Sequence, residues 1–235
     1  MAVYATSDLH GHKILYDKIK AMLKPEDKVY FLGDANDRGP DGWELIKTIY
    51  EDPQFIYIKG NHEVMFVTAA WDVLEKNDRS DNVMLFYQNG GAKTLTAWKK
   101  AGRPREWLNK IMRLPLHAEY TNKDGKVILM SHAGYTPQYM DGGLYIPGEI
   151  DLLWERDHVI DYWDDRHFKD YIVIHGHTPS VYLATDTGFR GTEIDAGAYW
   201  YCNGHKVGLD NACYATGYAV LLNLDTLEDI VISVD

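Results

Sequence analysis

The first third of the chain alternates two hydrophobic periods. VYATS (residues 3–7) is a short β-rich run that ends in polar residues. Ile14, Leu15, Ile19, Met22 and Leu23 then recur at helical spacing, and Pro25 stops that helix. VYFL (29–32) is the next strand. Asp41 and Glu44 form a D-x-x-E pair that reads as a capping box for a helix through Tyr50. FIYI (55–58) is a third strand. This β-α-β-α-β order predicts an α/β fold, a parallel sheet with helices on its faces. The middle is helical, with segments 62–76, 84–101 and 104–113 carrying Trp, Leu and Met at mixed helical spacing. Two later apolar runs, VILMSHAG (127–134) and YIVIHGHTP (171–179), both end in histidines. The tail is β-like: TEIDAG (192–197), YAVLLNL (218–224) and DIVISV (229–234). Residues 135–169 are too rich in Gly, Pro and Asp for one regular element and read as a covering segment with short helices.

Composition narrows the class. The 235 residues are 46% hydrophobic, which suits one catalytic domain over 1–235 with a sizeable core. Net charge is -11, with 35 acids against 24 Lys and Arg. Such a surface repels polyphosphate backbones, so a long nucleic acid is not an expected partner. Cys202 and Cys213 form no CxxC pair, and both are expected reduced. The N-terminal MAVYATSDLHG lacks the basic and apolar regions of a secretory signal. No run approaches the roughly 20 apolar residues of a membrane span. The expectation is a soluble, cytoplasmic protein with no membrane partner.

Five segments share one grammar: an apolar run, then polar residues able to bind metal or phosphate. They are SDLHG (7–11), GDANDRG (33–39), GNHE (60–63), SHAG (131–134) and HGHT (175–178). Sites in α/β sheets form at the carboxyl ends of parallel strands. The pattern therefore expects Asp8, His10, Asp34, Asp37, Arg38, Asn61, His62, His132, His175 and His177 at one edge. Imidazole and carboxylate without thiolate suit Mn, Fe, Zn or Co better than Ca or Mg. Asp8 and His10 are two apart, and on an extended strand end they point the same way. A carboxylate such as Asp34 can bridge two ions. Two metals about 3.5–4 Å apart are a recurring device for phosphoryl transfer to water, whose pKa falls from about 15.7 toward 7 on binding. Each segment alone has an ordinary reading: a turn for Asp-x-His, a helix start for GNHE, a surface position for Arg38. Together and in this order they point to metal chemistry.

This ordered set resembles the calcineurin-like metallophosphoesterases, and more narrowly their phosphoprotein-phosphatase branch, including its bacterial members, marked by GDxxDRG and GNHE. The resemblance covers residues 5–180. It implies a β-sandwich of mixed sheets flanked by helices, four layers deep (α/β/β/α). It implies Asp8, His10 and Asp34 on a first metal, and Asp34, Asn61, His132 and His177 on a second. The ions implied are divalent or trivalent transition metals, Mn2+ foremost, with Fe or Zn as alternatives. His62 would protonate the leaving group, oriented by Asp37, while a hydroxide bridging the metals attacks. Arg38, Asn61 and Arg156, the last within LLWERD (152–157), would hold the phosphate. Elementary chemistry agrees, because a phosphoryl transition state spreads charge over oxygens that cations must surround. Arginine's planar fork pairs two of them at once.

The expected activity is hydrolysis of phosphate monoesters, phosphoserine and phosphothreonine in proteins foremost. The alternative is hydrolysis of nucleotide anhydrides such as diadenosine tetraphosphate. The aromatic tract 135–169 suits either a stacked base or a peptide groove. A binding module without activity should have lost ligands, and every expected one is present. A nuclease or cyclic-nucleotide phosphodiesterase shares the metals, but the acidic surface argues against long nucleic acids and the Asp37–Arg38 pair favours the terminal, dianionic phosphate of a monoester. Three details depart from the branch. His175 either lines the site or satisfies a backbone group. Ala35-Asn36 is more polar than expected and should alter packing rather than chemistry. The segment 198–216 is long, and its His205 and Lys206 read as a solvated hairpin tip rather than substrate contacts.

Overall fold

The computed structural model describes residues 1–135, 138–140, 143–145, 147–156, 171–183 and 196–235. Three apolar runs become β1 (Val3–Thr6), β2 (Lys28–Phe31) and β3 (Phe55–Tyr57), joined by α1 (Lys13–Met22) and α2 (Gly42–Glu51). The three strands pair in parallel. The tail adds β11 (Tyr218–Asn223) and β12 (Asp229–Ser233) antiparallel, giving a mixed sheet ordered β12-β11-β1-β2-β3. A second sheet is ordered β4-β5-β8-β10-β9. Its strands are β4 (His117–Thr121), β5 (Val127–Ser131), β8 (Tyr171–His175), β9 (Tyr199–Tyr201) and β10 (Lys206–Gly208). Between β5 and β8 lie a small hairpin, β6 (Gln138–Met140) with β7 (Gly143–Tyr145), and α7 (Glu149–Trp154).

Strand alternation builds the layers. Val3, Ala5, Leu32, Val220 and Leu222 meet Ile128, Met130, Ile172 and Ile174 between the two sheets. The other faces of the first sheet's strands, Val29, Phe31, Ala219 and Leu221, pack against helices. Leu129 and Val173 of the second sheet pack against Leu152 of α7. A strand buried on both faces reads as a continuous apolar run, which is why these strands stand out in the chain. The arrangement is the expected α/β/β/α sandwich.

Four expectations are corrected. The single helix over 84–101 is two, α4 (Asp81–Gln88) and α5 (Ala92–Lys100). Gly90, at φ +89°, makes the break and offers its carbonyl to the Arg38 N–H at 3.1 Å. Around it, α3 (Asn61–Leu74) and α6 (Arg105–Met112) match the expected helices closely. Asp41 stands at the start of α2 but its side chain caps nothing. Ile14 and Met22 are exposed, and Leu15, Tyr16 and Ile19 form the buried face of α1. Lys206 is fully buried rather than at a solvated tip, with Nζ 5.8 Å from the Tyr201 ring centroid. β4 and the β9–β10 hairpin carry too few consecutive apolar residues to announce themselves. Residues 192–195 of the expected TEIDAG strand, and 157–169 of the tract, lie outside the described residues. No helix of the described residues is long and apolar enough to cross a membrane.

Candidate functional site

All five motifs follow the carboxyl ends of parallel strands, but not of one sheet. SDLHG, GDANDRG and GNHE extend β1, β2 and β3; SHAG and HGHT extend β5 and β8. The site lies where the two sheets' strand ends meet. Asp8, His10, Asp34, Asp37, Asn61, His62, His132 and His177 are all buried there.

The local backbone differs from an extended strand end. Asp8 (φ 53°), His10 (φ 40°), Asp34 (φ 61°), Asp37 (φ 71°), Arg38 (φ 60°) and His177 (φ 62°) all occupy the left-handed region. Non-glycine residues enter it at a cost, and such positions gather at functional sites. Asp8 and His10 therefore converge through left-handed turns and not through strand pleat, with His10 Nε2 3.8 Å from Asp8 Oδ1.

Asp34 is the hub. Its Oδ2 lies 3.8 Å from Nε2 of both His10 and His62, and its Oδ1 lies 3.4 Å from His132 Nε2. Two donor groups share it: His10, Asp34 and His62, and Asp8, Asp34 and His132, the atoms of each within 4.8 Å of one another. Asn61 Oδ1 stands 2.8 Å from His132 Nε2 and 3.2 Å from His177 Nδ1. Backbone carbonyls orient two of the rings. His10 Nδ1 donates to Asn36 O (3.0 Å) and His132 Nδ1 to Leu32 O (2.7 Å), which turns both Nε2 atoms inward. Asn36, whose amide also donates to the His62 carbonyl at 3.1 Å, thus ties three motifs together; its polarity is positioning as well as packing.

Burial works against charge on His132, yet the Asp34 and Asp8 carboxylates push it up to about 10. Burial also opposes charge on Asp34, but His132 and His62 hold it well below the usual carboxylate range. Burial and then Asp210 raise Asp8. Burial and then His132 push His177 down to about 2, and its Nε2 is buried without a hydrogen-bond partner. Inward imidazole nitrogens and buried carboxylates around a shared Asp34 suit a pair of borderline divalent ions.

His62 Nδ1 donates to Asp37 Oδ2 at 2.7 Å, and Arg38 Nη2 lies 3.4 Å from His62 Nε2. Imidazole and guanidinium converge on one point beside the cluster. Arg156 follows α7 on an exposed stretch, and its charge reaches His177. His175 does not face the cluster. Its Nδ1 donates to Gly176 O (2.8 Å), its Nε2 takes the Tyr201 hydroxyl (2.6 Å), and burial pushes it down to about 4.

Two residues went unassigned in the sequence. Glu63 accepts from the backbone N–H of Asp34 (2.9 Å), Ala35 (2.8 Å) and Gly60 (2.7 Å), and from the Tyr57 hydroxyl (2.7 Å). Its place three residues after Gly60, the capping-box spacing, was the available signal. Gly176 leaves room for Asp8: a Cβ there would stand 2.0 Å from Asp8 Oδ2 and 2.6 Å from Ser7 Oγ. Gly176→Ala is accordingly expected to displace Asp8 and weaken manganese binding about 10–100-fold, the range for disturbed ligand support. Calorimetric titration with Mn2+ measures this; wild-type affinity would place Asp8 outside any metal site.

The family model described as calcineurin-like phosphoesterase matches residues 1–209. A symmetrical bis(5'-nucleosyl)-tetraphosphatase of Azotobacter vinelandii is 26% identical, over 97% of this chain and 95% of that protein. A serine/threonine-protein phosphatase 2 of Salmonella typhimurium is 26% identical, over 67% of this chain and 69% of that protein. Other relatives are spanned over only 61% or 51% of their length. The solved structure of a Saccharomyces cerevisiae serine/threonine phosphatase superposes with a TM-score of 0.61, at 15% identity, over 99% of this chain and 79% of that one.

Proposed function

The chain belongs to the calcineurin-like phosphoesterase family, and on that footing we propose that it is a two-metal hydrolase of dinucleoside polyphosphates of the diadenosine tetraphosphate type. The observation that carries the reaction class is the single Asp34 carboxylate shared by two groups of buried donors. The substrate class rests on the relatives, which are mostly named symmetrical tetraphosphatases. The Salmonella relative supports a second reading, removal of phosphate from phosphoserine or phosphothreonine in proteins.

In this proposal Asp8, His10 and Asp34 would hold one ion, and Asp34, Asn61, His132 and His177 would hold the other. When bound, the ions would supply positive charge against the phosphoryl oxygens and would acidify water at neutral pH. Arg38 and Arg156 grip the remaining oxygens, and Asn61 adds its amide. Asp37 keeps the His62 ring turned so that Nε2 faces the leaving-group oxygen and gives it a proton. Burial opposes the charged ring, but Asp34 and the Asp37 hydrogen bond raise His62 above the ordinary histidine value. That direction favours the protonated ring, the form able to give up a proton.

Manganese-reconstituted protein is expected to convert diadenosine tetraphosphate into two ADP. Release of AMP with ATP, or no hydrolysis, speaks against the reading. Arg156→Ala is expected to raise both KM and the inhibition constant for inorganic phosphate; unchanged phosphate inhibition would remove Arg156 from the site.

A further inference from the structure

Two exposed aromatic rings border the site, and the mechanism above uses neither. Tyr214 belongs to the short helix α8 (Cys213–Thr216) and is 43% exposed. The Arg38 guanidinium carbon lies 4.1 Å from its ring centroid, and the His10 ring meets it edge-on at 5.7 Å. Trp154 ends α7, is 41% exposed, and stands 6.3 Å from the His177 ring at 84°. His10 in turn packs against His62 at 4.8 Å, and His177 against His132 at 5.1 Å. The rings form two ladders, Tyr214–His10–His62 and Trp154–His177–His132. Both converge on Asp34.

An isolated exposed aromatic needs no explanation. Here one stands at the outer end of each ladder, beside the residues proposed to hold phosphate. Arg38 lies over one face of Tyr214, and the residue as a whole is 43% exposed. A π-face next to a phosphate-binding cation is the combination that holds nucleotides, because the base stacks while its phosphate is neutralised. A serine phosphate on a peptide brings no ring to either place.

We propose that Tyr214 and Trp154 each stack one base of a dinucleoside polyphosphate, whose phosphates run between them across the Asp34 cluster. The inference rests on the nucleotide reading above and adds the residues that choose that substrate. It accounts for two bases in one substrate by two platforms, one on each side of the reacting phosphates. A mononucleotide engages one platform only.

Binding of two non-hydrolysable probes by the manganese-reconstituted protein tests it: α,β-methylene-ADP, which carries a base, and methylenediphosphonate, which does not. Wild-type protein is expected to bind the nucleotide more tightly than the diphosphonate. The double variant Tyr214→Leu/Trp154→Leu is expected to erode that preference, the weaker nucleotide binding reaching about tenfold from lost base stacking, whereas either single change leaves the mononucleotide one platform. Tyr214→Phe and Trp154→Phe, which keep a ring, should retain it. Equal losses for both probes, nucleotide binding unchanged in the double leucine variant, or a single leucine change that alone reaches the double variant's loss, overturns the pair of platforms. Hydrolysis of the dinucleotide without any ring dependence defeats the platforms alone. Ring-dependent binding without dinucleotide hydrolysis keeps the platforms and defeats the catalytic reading.

Discussion

Replacing His62 with asparagine is expected to lower kcat by about 10²–10⁴, the range for loss of a positioned general acid, while both ions stay bound. The Nδ1–Asp37 contact of 2.7 Å fixes the ring, and Nε2 faces the point on which Arg38 converges. The competing role is that of a ligand, because His62 also shares a donor group with His10 and Asp34. Metal content by mass spectrometry separates the two. Full metal with a collapsed kcat fits the acid; loss of an ion in step with activity makes His62 a ligand. The acid reading carries a further signature. A serine alkoxide leaves poorly unless protonated, whereas the phosphate oxygen of a nucleotide anhydride is a far weaker base. The loss should therefore be larger on a phosphoserine peptide than on diadenosine tetraphosphate. Equal losses on both would point away from proton donation.

The largest expected loss of stability is at Glu63. Its fully buried carboxylate collects three backbone N–H groups and the Tyr57 hydroxyl, and it joins the turn after β2 to the turn after β3. Glu63→Ala leaves those donors buried and unpaired, at about 1–3 kcal/mol each, so a net destabilisation of at least about 3 kcal/mol is expected. Chemical denaturation measures it. The same change frees the backbone on both sides of Asp34, so manganese affinity should fall as well. A variant with wild-type stability and metal affinity would mean that water or a rearranged side chain replaces Glu63, and that its bonds do not hold Asp34 in place.

How much of this was legible in the chain depends on the range of the interactions involved. β1, β2, β3, β5 and β8 announce themselves because both faces are buried, and each ends in a polar motif that marks the strand end. Which sheet each strand joins is set by pairings between distant segments, such as β5 with β8, and no local pattern encodes that. The gathering of motifs was visible; their division between two sheets was not. The backbone at Asp8, His10, Asp34, Asp37, Arg38 and His177 was also hidden, since Asp and His tolerate the left-handed region without requiring it. Glu63 was visible as a letter of GNHE, but its partners Asp34 and Ala35 lie 29 and 28 residues away in the chain. Gly90-Gly91 separates α4 from α5, and the mixed helical spacing on either side reads as a single helix.

The proposed two-metal site is expected to act on a nucleotide anhydride. The most direct measurement is kcat/KM of the manganese-reconstituted protein on diadenosine tetraphosphate and on a phosphoserine peptide, in the same buffer and at the same metal concentration. The dinucleotide is expected to give the higher value, with two ADP as product. A higher value for the phosphopeptide would contradict it and establish the phosphoprotein reading in its place.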